Sequence, residues 1–210
     1  MPANYMKPLQ PLLFAALAAL YLWFPWSMVR YQEQILTKGA YYSFDIPGDK
    51  LLSGLGINSL YIPWDSRLPR TDTFSFHQKV FVELAKTPEG KAFFKTIHKF
   101  PVNGTDYIAT KVSFSPLQRK WTHFDMPATV QTYFLDRTKI REVSSSLQNA
   151  IHGGRLDSLE VSLQVGLRVK KGVALIDKVF LNGVPAEAFI LRLEKEYGEK
   201  MPAQAPGKSL

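Results

Sequence analysis

Hydrophobic and polar positions divide this chain into one uncharged stretch and a long remainder in which apolar residues mostly alternate. Pro8–Val29, PLQPLLFAALAALYLWFPWSMV, contains no Asp, Glu, Lys, Arg or His and lies between Lys7 and Arg30. At about 1.5 Å of rise per residue, a helix of this length covers the roughly 30 Å hydrocarbon core of a bilayer. The pattern therefore predicts a membrane-spanning helix with the lipid bilayer as its first partner. Tyr21, Trp23 and Trp26 crowd toward its end, with Arg30 just beyond, as in an aromatic belt at a membrane–water interface. Residues 30–38 can prolong the helix until Gly39 stops it. A cleaved signal peptide is the rival reading, and Ala16-Leu17-Ala18 offers a small-residue cleavage pattern. Cleavage there would leave residues 20–26, LYLWFPW, near the new terminus, whereas a signal peptide ends its apolar region before the cut. The expectation is an uncleaved, single-pass anchor with the following domain outside.

Beyond the anchor, the period changes to two. Strands are expected at 40–46, 79–86, 91–100, 106–114 and 128–135, with hairpin pairing between 79–86 and 91–100. The clearest alternation runs over 159–169: Leu159, Val161, Leu163, Val165, Leu167 and Val169 face one way, Glu160, Ser162, Gln164, Gly166 and Arg168 the other. That pattern belongs to a sheet with one buried and one wet face. Lys170-Lys171-Gly172 turns into a partner strand over 173–181, and Asn182-Gly183 supplies another turn. Helical spacing returns at 136–151, where Asp136 can cap and Ile140, Val143, Leu147 and Ile151 share a face. Pro185 opens a terminal helix over 186–197. Residues 63–78 and 115–127 read as long surface loops. The expected fold is mainly β, α+β in detail. An anchor and juxtamembrane helix (1–36) precede an antiparallel β-rich domain (37–198) with one packed helix and a short terminal one, then a tail (199–210).

Composition adds a sign to this picture. The formal charge is +8, and after residue 30 there remain 24 basic against 18 acidic residues, or +6. Such an excess suits a solvated basic surface or attraction to anionic headgroups. No basic cluster with stacking aromatics forms a nucleic-acid-binding motif, so nucleic acid is not an expected partner. The chain has no cysteine, which excludes disulfides and thiolate metal sites.

Candidate chemistry is sparse. His77, His98, His123 and His152 are spaced unlike metal-ligand pairs. His77 and His123 lie in the two long loops, where a folded site could join them to Asp72 or Asp125. Gly54-Leu55-Gly56 lacks the third glycine and the helix of a dinucleotide fingerprint. Ser27-Met28-Val29-Arg30 only partly matches the S-M-x-P serine motif of membrane-bound Ser/Lys peptidases, lacking its proline. No catalytic, cofactor-binding or metal-binding residue is assigned, and the reading leans away from an enzyme. Aromatic and basic loop residues, namely Trp64, Phe74, Phe76, His77, Arg119, Lys120, Trp121 and His123, are the candidates for contact with a partner, and core or loop anchoring is the expected role of most of the aromatics. Arg119, Lys120 and Trp121 also form a candidate contact for anionic lipid.

The order of segments resembles the GDYXXLXY-domain proteins, a family of bacterial membrane-anchored proteins. It is carried by Leu36-Thr37-Lys38-Gly39, then Asp45–Asp49, then the run Gly54 to Tyr61, and by Val80–Gly90, Asp106–Ile108, Tyr133–Leu135 and Leu167–Val184. Of the named motif only Gly54 and Tyr61 match in register; Leu55, Gly56 and Ser59 replace its Asp, Tyr and Leu. The resemblance implies a domain on the extracytoplasmic side of the cell inner (cytoplasmic) membrane and carries over no catalytic residues. The expected role is a non-catalytic interaction or accessory component of a membrane or envelope protein assembly, with an integral-membrane or envelope protein as partner. The alternatives are a ligand-binding or hydrolytic domain using the two long loops, and a degenerate Ser/Lys peptidase-like domain.

Overall fold

A computed structural model describes residues 9–47, 54–69, 72–114, 120–136, 138–140, 143–152 and 161–198. The uncharged stretch forms a helix, α1 (Leu9–Lys38), of 30 residues, about 45 Å long. It runs through Pro25, is long and apolar enough to cross a membrane, and among the described residues its large apolar side chains from Leu12 to Val29 are exposed. Gly39 ends it: its amide donates to the Ile35 carbonyl at 2.8 Å, and the next residue already belongs to a strand.

In chain order the remaining elements are β1 (Ala40–Pro47), β2 (Ser59–Tyr61), β3 (Arg67–Pro69), β4 (Lys79–Lys86), β5 (Ala92–His98), β6 (Tyr107–Phe114), β7 (Trp121–Phe124), α2 (Ala128–Gln131), β8 (Thr132–Phe134), α3 (Ser145–His152), β9 (Ser162–Lys170), β10 (Val173–Leu181), β11 (Val184–Pro185) and α4 (Ala186–Leu193). Glu194–Gly198 adds a wider π turn after α4. The domain is mainly antiparallel β. One sheet has the order β1-β9-β10-β11, a second β3-β7-β6-β4-β5, and β2 and β8 form a separate ribbon. Two parallel bridges, Ser43 to Lys91 and Ile108 to Gly172, connect the two larger sheets. The circuit β6-β4-β5-β1-β9 therefore returns to β6 through the β9–β10 turn.

The seam at β1 is reinforced by side chains. Lys91 pairs with Asp45 at 2.6 Å, and the Tyr42 hydroxyl donates to Asp106 Oδ2 at 2.9 Å. Burial, then the Asp106 hydrogen bond, pushes the Tyr42 phenol up to about 12. Inside, four rings join elements distant in sequence. Phe44 lies 5.3 Å from Trp64 and 5.0 Å from Phe94, and Phe94 lies 5.3 Å from Phe124. The alternating residues of β9 behave as their pattern requires: Leu163, Val165, Leu167 and Val169 are buried. Leu159 and Glu160 lie outside the described residues, as does the 199–210 tail.

Three expectations change. The long loops are each interrupted by a short strand, β3 and β7, paired antiparallel with Leu68 opposite Thr122. Residues 128–131, read as strand, form the single turn of α2. Pro127, with its φ held at −57°, sets the turn, and its carbonyl accepts from the buried Val130. The helix expected over 136–151 is shorter. Asp136 Oδ1 accepts from the Thr138 amide and hydroxyl, closing a local turn. Ser144 Oγ accepts from the Leu147 amide and caps α3 separately. Ile140, Val143, Leu147 and Ile151 are all buried nonetheless. Helical spacing found the right core residues and overestimated the helix.

Prolines blunt both outer edges: Pro69 closes β3 and Pro185 closes β11, where a free strand edge would otherwise invite pairing. Thr122 is wholly buried, and among the described residues its hydroxyl has no partner. Thr122→Val should therefore leave stability unchanged or raise it by about 1 kcal/mol in urea denaturation. A loss of that size would show that the hydroxyl is hydrogen-bonded, for instance by a buried water.

Candidate functional site

The strand pairing brings the two long loops together. Arg67 faces His123 and Pro69 faces Trp121 across β3 and β7. Trp121 is exposed, with the Arg67 guanidinium 5.9 Å from its ring centroid, and Arg67 is paired with Asp65 at 2.9 Å. Lys120 is exposed beside it, His123 is half-buried, and Arg119 lies outside the described residues. Arg67, Lys120 and Trp121 make this edge cationic and aromatic.

Two of the loop aromatics are turned to other work. Trp64 packs half-buried in the four-ring cluster and donates Nε1–H to the Val130 carbonyl at 2.7 Å. Phe74 is buried, with Lys99 Nζ 5.8 Å from its ring. Both are core anchors here, because a loop flanked by a sheet gains more from burying a ring than from exposing it. Phe76 stays exposed, its ring 3.8 Å from that of His77. His77 has φ +59°, in a turn closed by the Gln78 amide on the Ser75 carbonyl.

Beside this region lies an open depression of ≈ 480 Å³ lined by Asp72, Thr96, Ile97, His98, Lys99 and Phe100. Lys99 and Asp72 form an ion pair of 2.6 Å across it. His77 and His123 do not line it; His98, which lies in neither loop, does. Nearby, Glu83 on β4 is buried and accepts from Lys95 Nζ and His98 Nε2, each at 2.9 Å. The hairpin register explains the cluster, since Phe81 pairs with His98, Glu83 with Thr96, and a bulge brings Lys95 within reach. The alternation sets Glu83 on the face opposite Val80, Val82 and Leu84, so the hairpin pairing and not the hydrophobic pattern was the available signal.

Hydrogen bonds from Lys95, then from His98, hold the Glu83 carboxyl below its ordinary value of 4.5, against the opposing effect of burial. A depressed carboxyl contributes stability that is complete above the ordinary value and is lost as pH falls through the depressed one. Glu83→Gln should therefore flatten the acid limb of the stability profile below pH 4.5. Thermal unfolding of both proteins across that range reads the effect. Parallel acid limbs would show that the pair contributes nothing.

Gly54 and Tyr61 meet in one tight hairpin. Leu55 bridges Leu60, the Gly56 amide donates to the Ser59 carbonyl at 2.7 Å, and a Cβ at Gly54 would lie 3.0 Å from the Tyr61 carbonyl oxygen. Tyr61 is exposed on the ribbon and shares its outer face with Phe134, while Leu60 is wholly buried beneath. On the inner face the Tyr133 hydroxyl donates to the buried Glu187 at 2.7 Å, and burial together with that bond raises the phenol's pKa.

On α1, Tyr21, Trp23 and Trp26 are exposed, and the Arg30 guanidinium lies 4.7 Å from the Trp26 ring centroid. Ser27 spends its hydroxyl on the Phe24 carbonyl at 2.8 Å within the same helix. Among the described residues, no group of three or more His, Cys, Asp or Glu is placed to hold a metal ion. No family model, curated protein or solved structure matches the chain.

Proposed function

We propose that this is a single-pass membrane-anchored protein whose β-rich domain works on the extracytoplasmic side of the cell inner membrane. There it serves as a non-catalytic interaction or accessory component of a membrane or envelope protein assembly. The observation that carries this reading is the joint between anchor and domain. Only Gly39 separates α1 from β1, Arg168 donates to the Gly39 carbonyl at 3.2 Å, and Asp177 holds Arg168 at 3.1 Å. A domain on a flexible tether searches widely; one continuous with its helix stays in register with neighbouring membrane proteins. The exposed pair Tyr61 and Phe134, 51% and 72% accessible, offers such neighbours an aromatic face. Similarity in segment order to the GDYXXLXY-domain proteins supports the same placement.

A photo-crosslinking residue in place of Tyr61 or Phe134, in intact membranes, tests this reading. A single heterologous adduct should recur; recovery of the uncrosslinked chain alone would count against an interaction role. A ligand-binding reading is favoured by the depression at Asp72, His98 and Lys99, to which the first long loop contributes Asp72. Thermal-shift screening of the full chain beside Asp72→Asn tests it, and no compound acting on the wild type alone would remove it.

A further inference from the structure

We infer that the β9–β10 turn, together with the end of α1, forms a cationic collar that contacts anionic phospholipid headgroups. This rests on the membrane-anchor reading above. The register gives the placement. Ala40, the first residue of β1, pairs with Val169, so Lys170, Lys171 and Gly172 lie beyond the start of that strand. Continuing antiparallel to β1, they run back along α1. Two observations agree. Ile35, one turn before Gly39, is wholly buried although the helix before it is exposed, and α1 packs against both β9 and β10. A Cβ on Gly39 would lie 3.1 Å from both the amide nitrogen and the carbonyl oxygen of Val169.

The hairpin turn thus hangs beside helix residues 35–37, given about 3.3 Å per strand residue against 1.5 Å per helix residue. Measured from Val29, the last residue of the uncharged stretch, that level is about 9–12 Å along the helix. The headgroup layer occupies the first 5–7 Å or so, which puts the turn within a Debye length of its phosphates.

The turn and the helix end carry three lysines, against which β6 sets Asp106, two residues before the Ile108 that bridges Gly172 and bonded to the Tyr42 hydroxyl. Lys38 and Lys171 are exposed and Lys170 is half-buried. Among the described residues no acidic side chain pairs with any of the three, whereas Arg168 on the same strand is taken up by Asp177. Lys38 also complements the C-terminal dipole of α1, but Lys170 and Lys171 have no such local task. Lys171 even occupies the left-handed region, φ +50°, where Asn or Gly would be the unstrained choice for a two-residue turn. Glu33, exposed on the helix one turn further back, is the acidic residue nearest in sequence and leaves the collar net positive.

Reconstituting the full chain in vesicles of phosphatidylcholine with added phosphatidylglycerol, and comparing motional restriction of spin-labelled forms of both lipids, tests the collar. Wild type should restrict the phosphatidylglycerol probe preferentially. The triple variant Lys38→Gln, Lys170→Gln, Lys171→Asn, whose Asn tolerates the left-handed backbone, should lower that preference by about tenfold. A wild type without preference, or a triple variant equal to it, overturns the collar and leaves the anchor standing. Loss of the preference to inorganic phosphate, but not to sulfate at matched ionic strength, would reassign the lysines to a soluble anion and also overturn it. If no lipid is restricted and the chain washes free of the vesicles, the anchor reading itself has failed.

Discussion

Phe44→Ala should cost the domain about 3–5 kcal/mol, the largest effect expected of any single truncation in the core. Phe44 is buried in β1 and touches Trp64 edge-on at an interplanar angle of 86°, while its other neighbour, Phe94, belongs to β5 in the second sheet. It is the ring through which the sheet continuous with the anchor grips the other. Its loss removes apolar burial, leaves a cavity between two sheets that cannot collapse independently, and frees Trp64, whose indole N–H is bonded to the Val130 carbonyl. Thermal unfolding of the full chain in nanodiscs should show a fall of about 10 °C in Tm. Phe44→Leu, which keeps most of the volume, should recover more than half of it. A fall of only a degree or two for Phe44→Ala would mean that the sheets are held together at the β1–β5 seam and by the Ile108–Gly172 bridge alone.

Gly39→Ala is the second large effect, about 2–4 kcal/mol, and it acts on the joint. A Cβ at this position collides with the Ile35 carbonyl oxygen, which is backbone and already accepts from the Gly39 amide. Relief requires the last turn of α1 to open, because Val169 of β9 blocks the other side at 3.1 Å, so the seating of Ile35 and the Arg168 bond to the Gly39 carbonyl are disturbed with it. Gly104 supplies the control: its φ is +82° and nothing lies within 4 Å of a Cβ placed there. Gly104→Ala should cost only the strain of the left-handed backbone, about 1–2 kcal/mol. Urea denaturation of the two variants should rank Gly39→Ala as the more damaging. The reverse order would mean that the helix end is loosely seated and that the joint is not stiff.

How much of this was legible beforehand follows from where the information resides. The long helix and the strands at 40–47, 79–86, 107–114, 162–170 and 173–181 are written locally, in an uncharged run or in an alternation several residues long. Turn chemistry was equally local: Asn182, φ +50°, and Gly183, φ +75°, make the expected hairpin. The three-residue strand β3 and the four-residue β7 are too short to show a period, and each exists only because the other, far along the chain, offers a partner. The same holds for Trp64 and Phe74, whose burial is decided by what folds over them. Residues 128–131 contain the β-branched pair Thr129 and Val130, which favours strand on propensity, and Pro127 with the Met126 carbonyl bonded to Gln131 Nε2 overrode it. For the site, the clustering of Glu83 with Lys95 and His98 could be reached by counting back through the 79–98 hairpin. The bulge that brings Lys95 into range could not.

The most direct measurement of the central claim, a β domain held at fixed height by a stiff joint, uses the two ends of one strand. β10 runs about 26 Å from the turn at Lys171-Gly172 to the turn at Asn182-Gly183. The chain has no cysteine, so single nitroxide labels at Lys170→Cys and Val184→Cys are unambiguous. In nanodiscs bearing a headgroup-linked paramagnetic relaxation agent, a stiff joint predicts strong relaxation at 170 and little at 184, unchanged by dilution or salt. Equal relaxation at both positions, or stronger relaxation at 184, would show a domain that tumbles on its anchor or leans the other way, and would contradict it.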